Sequence, residues 1–203
     1  MSSTDQPLSS DSPSDNPLLF LAHVQALKQL PRTGWLFAGV AQPESVADHS
    51  FVMSWVALLL AEQINLAYHE QGLDQPLNVA KIAQIALVHD LAESILTDLP
   101  KRSTDLLGKA VKHQAEALAM QQICQHLPNH AHYLACWQEY VDGATPEGRL
   151  VRDADKLEMI YQAFCYEQAG QRNLGEFWQA QQWHYPLSRN FFEELWRLRH
   201  HHS

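Results

Sequence analysis

Several things are scarce in this 203-residue chain, and each scarcity removes a class of protein. There is no run of about 18 apolar residues, the length that spans a bilayer, and the N-terminus has neither the basic nor the apolar region of a signal peptide. A soluble, cytoplasmic protein without a membrane partner is the expectation. Cysteine is limited to Cys124, Cys136 and Cys165, an odd number with no C-x-x-C spacing, which argues against a disulfide framework or a zinc ribbon. Basic residues are also few: 14 Lys and Arg face 23 Asp and Glu, for a net charge of −9 with the 12 His neutral. That balance argues against binding to nucleic-acid polymers or anionic membranes, which needs a basic face. Chain breakers are sparse too, with 8 Gly and 10 Pro, and Pro7, Pro13 and Pro17 fall within the first 17 residues. The remainder favours helix.

What is present is mostly helical pattern. Residues 1–16, rich in Ser, Asp and Pro, are expected to be a disordered tail. A first helix is expected from about Leu18 to Leu30, stopped by Pro31, followed by a loop from Arg32 to Pro43. A long helix from about Val46 to Tyr68, apolar on nearly every side, belongs in the middle of a bundle. The next begins behind Asn78 as N-cap and runs toward Leu96. Further helices are predicted at 103–126, 130–141, 147–169 and 187–199, leaving 200–203 as a His-rich tail. With no alternating strand and no internal repeat, the fold class is all-α, an irregular helical bundle over residues 17–199.

The chemically informative residues are polar ones on apolar stripes, because burying a charge or imidazole without a partner costs several kcal/mol or shifts its pKa. His49 falls on the stripe of Val46 and Met53. His89 follows Ile82 and Ile85, and Asp155 shares a side with Val151 and Met159. Imidazoles and carboxylates presented inward from three helices suit a divalent cation. Glu93 lies four and three residues after His89 and Asp90, so a helical backbone would bring it near both. Adjacent residues do not share a helix face, however, so His89 and Asp90 could serve one ion only if it lay between their directions. Asp153 is expected in a solvated pair, and His126, His130 and His132 at the surface.

His49, the doublet His89-Asp90 and the distant Asp155 reproduce the H…HD…D pattern of the HD-domain metal-dependent phosphohydrolases. The segments Arg32-Thr33-Gly34-Trp35, Pro43 to His49, Ala86 to Glu93 and Asp153-Ala154-Asp155 resemble the small HD-domain 5′-deoxynucleotidases. The resemblance covers roughly Pro17 to Gly170. It implies an HD-type helical fold, usually a homodimer, with one divalent cation (Co²⁺, Mn²⁺ or a similar transition metal) held by His49, His89, Asp90 and Asp155. It implies Glu93 and Asp98 as catalytic acids, and Arg32 and Trp35 as substrate-binding residues that hold the phosphate and screen the sugar. The implied reaction is phosphate release from (2′-deoxy)nucleoside 5′-monophosphates by water activated at the cation. Lys101 and Arg102 are candidates for added positive potential.

Three features depart from the family pattern, one being that two residues separate Arg32 from Trp35, as in only some members. Thr97 precedes Asp98 where the family commonly has Gly, which bears on the turn that aims Asp98. Ala38-Gly39 precede Val40 where relatives often have Arg-Asn. The alternatives are an HD-type hydrolase of guanosine tetraphosphate or of a cyclic dinucleotide, or a non-enzymatic nucleotide-sensing module. Against these stand Ser94 after Glu93, the lack of a Gly-Tyr-Pro motif, and the intact set of His49, His89, Asp90, Asp155 and Glu93.

Overall fold

Helices begin where the sequence supplies a cap. In the computed structural model, which describes residues 16–179 and 182–201, the Asn16 side chain accepts from the Leu18 N–H and Pro17 opens helix α1 (Pro17–Ala26). Asn16 is therefore a cap; the rest of the expected N-terminal tail, and Ser203 with His202, lie outside the described residues. A single 3₁₀ turn (Leu27–Gln29) follows, so the α-helix ends earlier than predicted, and Leu30 before Pro31 is extended. The predicted loop after Pro31 contains a short helix, α2 (Thr33–Phe37).

Helix α3 (Val46–Leu66) starts at a capping box in which Ser45 and Asp48 satisfy each other's backbone N–H groups. Asn78 caps α4 (Val79–Val88) as expected, but α4 stops eight residues before Leu96 and a separate turn of helix, α5 (Glu93–Leu96), follows. The predicted 103–126 helix is two, α6 (Lys101–Leu107) and α7 (Lys109–Cys124), divided at Gly108, whose φ of 87° no helix accommodates. Then come α8 (His130–Asp142), α9 (Pro146–Gln168), started by Thr145 and Pro146, and α10 (Pro186–His201). The last helix takes in His200 and His201, which the sequence had assigned to a tail; His200 Nδ1 donates to the Trp196 carbonyl (2.7 Å) and its ring packs on Trp196.

No strand is formed among the described residues, and one isolated bridge joins Pro31 to Ser45. Helix α3 packs on α4 and α9, α4 also on α8 and α9, and α10 closes over α9. The main core holds Met53, Leu60 and Ile64 from α3, Ile82 and Ile85 from α4, and Leu150 and Leu157 from α9. A smaller cluster joins Trp35 and Val40 to Ile160, Leu174, Trp178 and Leu195. Gly148 lets the start of α9 approach the end of α8, since a Cβ there would collide with the Glu139 carbonyl. The bridge at Pro31 and Ser45 does the corresponding work at the site: Arg32 N–H donates to Glu44 O and Val46 N–H to Leu30 O, which sets Arg32 beside the first turns of α3.

Candidate metal centre

Three of the helices in the middle of the bundle each bring a donor to one point. His49 comes from the first turns of α3 and is fully buried. Asp155 comes from the middle of α9. His89 and Asp90 stand just past the end of α4, where the backbone tightens into i→i+3 hydrogen bonds, Leu91 N–H to Val88 O and Glu93 N–H to Asp90 O. Leaving the α-helix resolves the difficulty that adjacent residues diverge on a helix: here both side chains converge.

The distances fit a small cation. His89 Nε2 lies 3.0 Å from Asp90 Oδ2, and His49 Nε2 lies 3.3 Å from Asp155 Oδ1, 3.4 Å from His89 Nε2 and 3.6 Å from Asp90 Oδ2. Donors bound at about 2.1 Å stand about 3.0 to 3.4 Å apart in octahedral or tetrahedral shells. His49, His89 and Asp90 group mutually, and Asp155 joins through His49. Three of the four donors are oriented from behind. His89 Nδ1–H donates to the Ala86 carbonyl (2.8 Å), which directs the Nε2 lone pair inward. Tyr140 OH donates to Asp155 Oδ2 (2.7 Å), and His49 Nδ1–H donates to Glu158 Oε2 (2.5 Å).

The electrostatics demand positive charge. Burial and Arg32 oppose an imidazolium at His49, yet hydrogen bonds to Asp155 and Glu158 prevail and push its pKa up to about 10. Burial would also raise Asp90, but His89 and Arg32 hold it well below the usual carboxylate range; Arg32 Nη1 donates to Asp90 Oδ2 at 3.2 Å. Glu93 behaves oppositely. It is buried with Oε2 unpartnered, and burial together with Asp90 and Asp98 pushes its pKa well above the usual value. Glu44, Glu158 and His49 form a second trio of close donors. A hydrogen bond of 2.5 Å between His49 and Glu158 is closer than two ligands of one ion stand, so Glu158 stands behind His49, on the far side of its ring from Asp155.

A model of the HD domain matches residues 24–196. The chain belongs to the HD-domain family. Among its relatives it is 39% identical to "5′-deoxynucleotidase HDDC2" of Danio rerio over 76% of this chain and 71% of that protein. It is 35% identical to "5′-deoxynucleotidase hdd1" of Schizosaccharomyces pombe over 87% of this chain and 86% of that one. A solved structure of a conserved hypothetical protein from Pyrococcus furiosus superposes with a TM-score of 0.76 at 38% identity, covering 90% of this chain and 99% of the other.

Within this HD domain the predicted residues do not all stand alike. His49, His89, Asp90 and Asp155 converge, with Arg32 and Glu93 at their edge. Asp98 is committed to the α2 start: its Oδ2 accepts from Thr33 N–H (2.5 Å) and Thr33 Oγ1 (3.0 Å). Trp35 is 2% exposed, tilted on Phe177 and edge-on to Tyr166, with Nε1 donating to Glu44 (2.8 Å); its ring packs in the core instead of facing open space. Lys101 pairs with exposed Asp105 and Arg102 lies over the Phe37 ring, so neither points its charge at the centre. Lys112, half-buried on α7, pairs with Glu116 (3.3 Å), and its charge also favours the ionised form of Glu93. Asp153 is no solvated pair: fully buried, it accepts from His184 Nδ1 (2.7 Å) and from the N–H groups of His184 and Tyr185. Sequence reasoning also missed Tyr140, Glu44 and Glu158. The last had a signal, a carboxylate on the buried stripe of Val151 and Ala154.

Proposed function

We propose that this protein is a metal-dependent phosphohydrolase that releases phosphate from (2′-deoxy)nucleoside 5′-monophosphates. The observation that carries this reading is the convergence of His49, His89, Asp90 and Asp155 at 3.0 to 3.6 Å beside the Arg32 guanidinium and a buried Glu93 whose pKa burial raises. The kinship with proteins named 5′-deoxynucleotidase supports the substrate class. His49, His89, Asp90 and Asp155 would hold one divalent cation of the Co²⁺ or Mn²⁺ kind. When bound, such a cation polarises a phosphate oxygen and lowers the pKa of water.

The chain's own residues do the rest. Arg32, held by Asp90, offers its remaining N–H groups to the phosphate oxygens. Glu93 holds or moves the proton of the attacking water, a task that suits a carboxyl whose pKa burial has raised. Asp98 would assist the leaving 5′-oxygen from its position at the start of α2, where Oδ2 anchors Thr33 and so the Arg32 segment. Trp35 acts on the sugar side through the wall it forms with Glu44, Tyr166 and Phe177.

The working form we propose is a cytoplasmic homodimer acting on free nucleotides, with neither a nucleic-acid polymer nor a membrane as partner. An exposed stripe of Phe51, Trp55 and Leu59 on α3 supports a second copy, and the net charge of −9 speaks against a polymer. No helix among the described residues is long and apolar enough to cross a membrane. The test is phosphate release from a panel of deoxy- and ribonucleoside monophosphates with Co²⁺, Mn²⁺ and Mg²⁺. Activity on the deoxynucleotides that disappears with chelator is expected; a protein inert across the panel with every metal refutes the assignment.

A further inference from the structure

We propose that Glu158 is a positioning residue of the metal centre: it takes the Nδ1 proton of His49 and so fixes the imidazole with Nε2 toward Asp90, Asp155 and His89. The proposal rests on the reading of His49 as a ligand. Its basis is a grip on both nitrogens of one ring by one helix. Asp155 and Glu158 lie three residues apart on α9, on the same side. Asp155 Oδ1 faces His49 Nε2 at 3.3 Å, and Glu158 Oε2 faces His49 Nδ1 at 2.5 Å.

Both His49 and Glu158 have 0% side-chain exposure, and Oε1 of Glu158 has no hydrogen-bond partner. A carboxylate placed there loses its hydration, a cost that packing alone does not offset. What it provides is chemical. An imidazole binds a cation through a nitrogen lone pair, and which nitrogen carries the proton is set by the hydrogen bond on the far side. A carboxylate is acceptor-only, so it admits the Nδ1–H tautomer and excludes the reverse, and its charge makes Nε2 more basic. His89 is set in the same tautomer by the neutral Ala86 carbonyl. The charged partner is thus reserved for the imidazole within reach of both Asp90 and Asp155.

The experiment is a Co²⁺ titration of the metal-free full chain, followed by visible absorption, for wild type, Glu158→Gln and His49→Ala, alongside melting of the metal-free proteins. Gln keeps the size and an acceptor oxygen but not the charge. Glu158→Gln is expected to bind Co²⁺ about 10- to 100-fold more weakly than wild type, with the metal-free melting temperature little changed. A structural Glu158 gives the opposite pattern, a lowered melting temperature and unchanged Co²⁺ affinity, and overturns the proposal. His49→Ala with wild-type affinity instead overturns the ligand reading on which the proposal stands. Should Glu158→Gln not fold, the wild-type protein decides: long-range ¹H–¹⁵N correlation of the Zn²⁺-loaded chain is expected to show His49 protonated at Nδ1 with a strongly deshielded proton. A His49 unprotonated at Nδ1 overturns it.

Discussion

Thr97 carries a backbone conformation that threonine ordinarily avoids. Its φ of 64° with ψ of 165° falls in a region used almost solely by glycine, and its branched Cβ makes the conflict worse. The position is fixed from both sides: Thr97 N–H closes α5 on Glu93 O (2.8 Å), and the next residue, Asp98, is pinned to Thr33. The turn that aims Asp98 is therefore formed in spite of the threonine. Such strain costs about 1 to 3 kcal/mol, and glycine's extra freedom in the unfolded chain returns about 0.5 to 1 kcal/mol of the relief. The Thr97 side chain is exposed and makes no hydrogen bond among the described residues, so its loss adds little. Thr97→Gly should stabilise the protein by about 1 kcal/mol, which for a chain of this size raises the melting temperature by about 2 to 4 °C. Thr97→Ala keeps the Cβ and should gain almost nothing. Calorimetry of the three metal-free proteins checks this. A Thr97→Gly melting temperature at or below wild type, or an equal gain in Thr97→Ala, would refute the assignment of strain to this residue.

Other outcomes follow from the same geometry. Asp90→Ala should lose both bound metal and phosphate release, whereas Glu93→Gln should keep the metal and lose activity; metal analysis beside a phosphate assay separates the two, and equal metal loss in both would dissolve the distinction. Asp153→Ala removes the acceptor of three hydrogen bonds that tie the start of α10 to α9; urea unfolding should show a loss of about 3 kcal/mol, and a loss below about 1 kcal/mol contradicts the role. Gly148→Ala drives a methyl into the Glu139 carbonyl; the same assay should show a loss of about 1 to 3 kcal/mol, and a neutral result means that α8 and α9 can part at little cost.

The long elements were legible because their signals are local. Asn78, Pro146 and the apolar run of α3 announce themselves within a few residues, and the ligand candidates stood out as polar residues on apolar stripes. What escaped depended on residues distant in sequence. The end of α4 at Val88 has no glycine or proline to mark it; the tight turn over His89 to Ala92 is set by packing around the centre. Trp35 looked like a loop residue because its partners, Tyr166 and Phe177, lie more than 130 residues away. Asp153 looked solvated because its partner His184 lies beyond the end of α9. Gly108 was in plain view, and its positive φ, a known use of glycine, splits a helix that the apolar pattern ran through.

The acids of the centre divide by whether cations or other carboxylates dominate their surroundings, and that division bears on their chemistry. Asp90, against Arg32 and His89, and Asp155, against His49, are held below their ordinary range and remain anions suited to a cation. Glu93 is buried and Glu44 partly buried at the margins beside other carboxylates; loss of solvent first, then those neighbours, raises both, Glu44 to about 7. Pairs of like groups driven apart in this way mark ligand from proton carrier. Of the two raised acids, Glu44 is tied to Trp35 and is further linked to Tyr166 through its backbone N–H, while Glu93 keeps an unpartnered oxygen among Asp90, Asp98 and Arg32. Glu93 therefore joins a raised pKa to a place near Arg32, and that combination, more than its position in the motif, supports the proposal that it moves a proton in the reaction.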